Sequence, residues 1–223
     1  MRDITKILLT GLVSGALLSR ATAQNGSKTY SCDFEQTTIS NGRSDVETGK
    51  VWIKGSRRIR MEEHNRGLVI THIVNDSDAW IFDSASKTGY HSRKPSASFE
   101  MQDTMRRDVV EGPAAWLRAG GMKTGSQVLD GVKCDVYRRR EKGGPIATLW
   151  ALPGSDHFPR QIQATGAVSF GGAQTPLNVT IRFKHWQAGK PIDDALFRPP
   201  AEYKIREVPA GPGDATQPHS GHP

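Results

Sequence analysis

The sequence predicts a mainly β protein with a small α component: a curved antiparallel sheet that carries a short helical insert in its concavity. Three observations predict it. Short runs in which apolar and polar residues alternate recur along most of the chain, separated by Gly, Asn and Asp turn signals, the pattern of an antiparallel sheet with one apolar face. One stretch near the middle changes to a spacing of four. Nine or more consecutive antiparallel strands with few helices must also curl, because twisted sheets rarely stay flat beyond about ten strands. The composition, 36% hydrophobic and 24% charged with only 2 Cys in 223 residues, excludes a disulfide-knot miniprotein, a collagen-like chain and a multi-spanning membrane protein.

Met1 to Lys6 is followed by an apolar run, Ile7 to Leu18, and then by Ala21, Thr22 and Ala23. This is the three-part pattern of a secretory signal peptide over residues 1–23, and the run is too short to span a bilayer. Gln24 follows the expected cut and no Cys lies there, so the product is expected to be soluble and periplasmic rather than lipid-anchored. Residues 24–207 are expected to form one domain, large enough for a real core without metal or multiple disulfides.

Tyr30, Cys32 and Phe34 alternate with Ser31, Asp33 and Glu35 in the first strand. Asn41 and Gly42 mark a turn, Gly49 to Gly55 a second strand, and Arg57 to Glu63 a third, with Ile59 and Met61 pointing one way and Arg58, Arg60 and Glu62 the other. Leu68 to Val74, Ala79 to Asp83 and Thr88 to Arg93 continue the meander. Met101, Met105 and Val109 then fall four apart, and Gly112-Pro113 restarts an apolar cluster at Ala114 to Leu117. Pro near a start and Gly past an end predict one or two short helices between about residues 101 and 119. Strands resume at Val132 to Arg140, Ile146 to Leu152, Arg160 to Thr165 and Leu177 to Trp186. Residues 208–223, broken by Pro and Gly, read as a disordered tail.

A helix lying in the concavity would cover the sheet's apolar face, and that surface would become a lipid-sized cavity whenever the helix lifts. Methionine suits such a cover. The bland alternative is a closed core of helix and sheet.

Four segments carry a resemblance: Gly49-Lys-Val-Trp-Ile-Lys-Gly55, then Arg58-Ile-Arg-Met61, then Ile73 to Phe82 with its Asp-Ser-Asp-Ala-Trp-Ile-Phe, and finally Pro191 to Tyr203 with its Asp-Asp-Ala-Leu-Phe-Arg-Pro-Pro. Their order over residues 29 to 205 resembles the LolA-type periplasmic lipoprotein-carrier superfamily. The resemblance implies an incomplete β-barrel with a helical lid over a hydrophobic cavity that holds acyl chains. The chain departs from the pattern in two places. Only Gln24 to Ser27 stand between the expected cut and the first strand, where the family has an amphipathic helix. Gly55 occupies the position of the arginine that latches the lid, with Arg57 nearby.

On this basis the chain is expected to be a non-enzymatic periplasmic binding or carrier protein, a monomer with a lipid or acylated ligand such as a lipoprotein. The expected lining is Val51, Ile53, Ile59, Met61, Trp80 and Phe82 from the sheet with Met101, Met105 and Trp116 from the lid. The alternative is an envelope protein-interaction or stress-sensing module on the same fold. Cys32 and Cys134, in an oxidising compartment, invite one disulfide if their strands are neighbours, and are otherwise two buried thiols.

Enzyme motifs are discounted. Ser84 to Lys87 matches a serine-x-x-lysine pattern, but in a hairpin turn rather than at a helix start. The histidines are scattered, including His219 and His222 in the tail, so neither a metal site nor a cofactor is expected. Asp193 and Asp194 are expected to cap a short helical turn before Phe197. The basic runs at Arg57–Arg60, Arg106–Arg107 and Arg138–Arg140 are read as a solvated strand face able to meet an anionic envelope surface, not as a nucleic-acid site.

Overall fold

The computed structural model describes residues 28–93, 111–140, 145–154, 157–170 and 173–208. The expected signal peptide, Met101, Met105 and Val109 of the expected lid, Arg106 and Arg107, and the tail from residue 209 lie outside them.

Alternation becomes two meanders. The first runs through β1 (Thr29–Ser40), β2 (Arg43–Lys54), β3 (Arg58–Asn65), β4 (Leu68–Asn75), β5 (Asp78–Asp83) and β6 (Thr88–Ser92). Its first hairpin turns on Asn41 and Gly42, both at positive φ, the geometry that matches the twist of the flanking strands. A six-residue helix, α1 (Pro113–Arg118), leads into the second meander: β7 (Met122–Leu129), β8 (Val132–Arg140), β9 (Ile146–Ala151), β10 (Pro159–Phe170) and β11 (Ala173–Ala188). The meanders join where β1 pairs antiparallel with β11. A 3-10 helix, Asp194–Phe197, precedes β12 (Lys204–Glu207), which lies parallel to β6.

Among the described residues the result is one curved sheet of twelve strands in the order β12-β6-β5-β4-β3-β2-β1-β11-β10-β9-β8-β7, not closed into a barrel. The fold class read from the sequence is the one observed. The sequence reading contains neither β7 nor β12, β10 and β11 are longer than expected, and the described helix covers only the second half of the predicted helical stretch.

Residues paired across antiparallel strands point to the same side, so the register sorts every side chain to one of two faces. We call the face bearing α1 the inner face. Its core joins Cys32, Phe34, Val51, Ile53, Ile59, Met61 and Phe183 through Ile162 to Tyr137, Ala147, Leu149, Ala151 and Trp116. The outer face has two separate clusters, Ile73, Phe82 and Phe197 at one end and Cys134, Val136 and Trp150 at the other.

Candidate functional site

The inner face is built by parity. Val51 pairs with Met61 and Ile53 with Ile59, Cys32 with Val51, Phe34 with Phe183, Ile181 with Ile162, Ile162 with Leu149 and Leu149 with Tyr137. Seven neighbouring strands, β3 through β8 in space, therefore present one continuous apolar surface. The helix α1 sits at one end of it. Pro113 opens the helix at a position where no backbone N–H is required, and the Gly121 N–H bonds the Trp116 carbonyl 2.9 Å away to close it. Trp116, fully buried, packs on Tyr137, Ala147, Leu149 and Ala151. The Arg139 guanidinium lies 4.3 Å from its ring centroid, a cation held against an aromatic face.

Toward the tip of the β1–β2 hairpin the inner face turns polar. Here the alternation is inverted: Asp45 and Glu47 are half-buried while Val46 is 52% exposed. Asn65 donates its amide to Asp45 at 3.2 Å and Glu47 at 2.8 Å, Gln36 donates to Glu47 at 3.3 Å, and His72 lies 3.5 Å from Glu63. An apolar floor thus ends in a carboxylate-rich rim.

The outer face gathers the family-like motifs into one structural device. Trp52, Arg60, Ile73 and Trp80 are mutual cross-strand partners there. The segment Ile192 to Tyr203 straps across them, with Phe197 buried and Tyr203 edge-on to Phe82 at 5.0 Å. Asp193 caps the 3-10 helix, accepting from the Ala195 N–H, as the sequence predicts. Asp194 receives Lys54 at 2.7 Å and Arg58 at 2.6 Å, and Lys54 and Arg60 also bond the Ile192 and Leu196 carbonyls. The hydrogen bond from Lys54, joined by the charges of Lys54 and Arg58, holds the Asp194 carboxyl below the ordinary carboxylate range.

The nine expected lining residues are therefore divided. Val51, Ile53, Ile59 and Met61 share the inner face, 1% exposed or less, and Trp116 joins them across it. Trp80 and Phe82 are on the other face, beneath the strap. The reason is register: Trp80 is paired to Ile73 and so to Arg60, one residue out of phase with Ile59 and Met61. Met101 and Met105 lie outside the described residues.

The adjacency on which a Cys32–Cys134 bond depends is absent. Strands β11, β10 and β9 stand between β1 and β8, and the two side chains are on opposite faces, where a disulfide needs Cα atoms within about 7 Å. Both are buried free thiols. Burial, reinforced by Asp33, pushes the Cys32 thiol far above its ordinary range. Burial also raises Cys134, against the opposing charge of Arg160.

Ser84 lies in the β5–β6 turn, and its hydroxyl accepts the Val69 N–H at 2.9 Å; Lys87 lies over the Tyr203 ring at 5.1 Å. Neither is placed as a nucleophile or base. An open outer-face groove of about 350 Å³ is lined by Asp33, Glu35, Lys50, His64, Lys184 and His185 among others. Acids there are paired with bases, His185 to Asp33 at 2.8 Å and Lys184 to Glu35 at 3.2 Å. Among the described residues no group of His, Cys, Asp and Glu is arranged to hold a metal, and no helix is long and apolar enough to cross a membrane.

No family model matches the chain, and no curated protein matches it. Its likeness to solved structures is one of fold. An uncharacterised conserved protein from Thermus thermophilus aligns with a TM-score of 0.54 at 11% identity, over 81% of this chain and 90% of that one. A LolA superfamily protein from Nitrosomonas europaea aligns at 12% identity and TM-score 0.36, over 87% of this chain and 97% of its own. A Pseudomonas aeruginosa MucA/MucB complex contains a chain that aligns at 11% identity and TM-score 0.42, over 81% of this chain and 59% of that one. The curved open sheet implied by the family resemblance is the fold observed.

Proposed function

We propose that this chain is a non-enzymatic binding or carrier protein of the bacterial envelope, exported by residues 1–23, that holds a lipid or acylated ligand against the inner face of its sheet. The observation that carries the reading is the continuous apolar surface from Met61 to Tyr137, flanked by Trp116 at one end and by the rim of Asp45, Glu47 and Asn65 at the other. Such a surface suits an amphipathic molecule, its acyl chain along the floor and its polar head at the rim. Native mass spectrometry of protein purified from a lipid-containing host is expected to find co-purified lipid, displaced by a hydrophobic fluorescent probe. Ile181→Glu on the inner face should weaken probe binding about tenfold or more, by placing a charge on an apolar floor, whereas Ile192→Glu in the outer strap should not. No lipid and no probe binding in repeated preparations would remove the reading.

A second reading, a protein-interaction module, is favoured by one feature. Strand β7 is an open edge of the sheet, with Met122 and Val128 each 64% exposed on it, and an exposed edge can accept a partner's strand. A stoichiometric protein partner recovered from periplasm, with no lipid in the purified protein, would support that reading over the first.

A further inference from the structure

His91, in β6, is held at both ring nitrogens. Its Nε2 lies 2.8 Å from Asp78 Oδ1 of β5, and its Nδ1 lies 2.9 Å from Glu207 of β12. The ring is stacked on Trp80, with centroids 4.9 Å apart and planes 12° from parallel, and the side chain is only 11% exposed. An imidazole can donate from both nitrogens only when it carries two protons. The parallel register turns Glu207 and His91 to the outer face and Arg206 to the inner one with Tyr90. Asp78 and Glu207 are thus the charged groups that face the ring from the two strands packed against β6. Strand β12 has four residues, all exposed. Apart from its ladder to β6, its ends are fixed by the Lys204 N–H on the Lys87 carbonyl and the Val208 N–H on the His91 carbonyl.

We propose that His91 is a pH-operated latch for the C-terminal strand, docking β12 when the imidazole is doubly protonated and loosening it when one proton is lost. The neutral ring can donate to only one of the two carboxylates; the other then faces a nitrogen lone pair at hydrogen-bond distance. Burial, the largest single influence, opposes the charge on the ring, but the hydrogen bonds to Glu207 and Asp78 outweigh it and raise His91 above the ordinary histidine value. A raised histidine stabilises the docked state fully below its undocked value, and that contribution is lost as pH rises through the raised one. Docking should therefore weaken as pH rises from the free histidine value through the raised one, by about tenfold for every pH unit that separates the two. Release would bare the edge of β6 along Thr88 to His91, the residues that β12 pairs, as a second pairing edge of the sheet. The inference is independent of the ligand reading, since the latch lies on the outer face.

The test is amide hydrogen exchange of the full chain between about pH 6 and about pH 9, corrected for the intrinsic base-catalysed rate. Protection over residues 204–208 is expected to fall by about tenfold or more while the β1–β2 hairpin keeps its own. Glu207→Gln retains an acceptor but not the charge, at a position 72% exposed where folding should survive, and is expected to flatten the profile. An NMR titration of the His91 ring should show a higher midpoint in the wild type than in this variant. A wild-type profile that does not change with pH, an equal fall in Glu207→Gln, or equal ring midpoints would each overturn the proposal.

Discussion

Gly49 lies where β2 crosses beneath the Phe34 ring. A Cβ there would collide with that ring and with the Glu62 carbonyl oxygen of the neighbouring strand. Gly49→Ala is expected to cost about 1–3 kcal/mol, the usual penalty of overpacking, seen as a lower urea midpoint with unchanged slope. The two cysteines give a different residue-level outcome. Because each is buried and held protonated, neither should react with iodoacetamide in the native protein, whereas in denaturant without reductant two adducts should appear by intact mass. A gain of two adducts only after reduction would mean the thiols had been joined. Alternation alone assigns Cys32 to an apolar face; the opposite facing of Cys134 depends on pairing parity carried across four strand junctions, which no local pattern encodes.

At the scale of elements, strands with a buried face are legible because burial imposes the period of two, and the Asn41-Gly42 and Asp193 signals form the turn and cap that they predict. Strand β7 is not legible in this way, since nearly all of it is exposed and no apolar alternation is required of it; the Asp130-Gly131 dipeptide that follows is the available signal, a strong hairpin turn. Strand β12 is held mainly by backbone bonds and by Glu207, so its sequence, though inside the expected domain, carries no strand pattern. Large and apolar on a predicted strand, Trp80 and Phe82 read as ligand-facing, yet they pack against a strap, with Phe82 buried and Trp80 half-buried, whose residues come more than a hundred positions later. The helix buries Pro113 and Trp116, of which Trp116 makes the larger contact with the sheet. Trp116→Ala should cost about 3–5 kcal/mol and free Arg139 from its aromatic partner. Trp116→Phe, keeping a ring under the guanidinium, should recover most of that loss in thermal unfolding.

Over the whole molecule, the C-terminal strap ties the fold to its own beginning, because Asp194, Phe197 and Tyr203 hold on to β2, β3, β4 and β5. Phe197→Ala, at a position 1% exposed, is therefore expected to lower the single cooperative transition by about 3–5 kcal/mol rather than detach the strap by itself. Coincident fluorescence and circular-dichroism midpoints would confirm it, and a separate early phase would contradict it. The sheet order has a consequence for how such a chain can be made. Strand β1 finds β2 as soon as both leave the ribosome, but its other neighbour comes last among the long strands, with Glu35 meeting Lys184 across 149 residues. Through most of synthesis, then, a strand near the start of the protein keeps one side bare, and two half-sheets wait to be joined at a single seam. Any fragment that stops short of β11 carries that seam open, a template on which a second unfinished chain can lay its own β11.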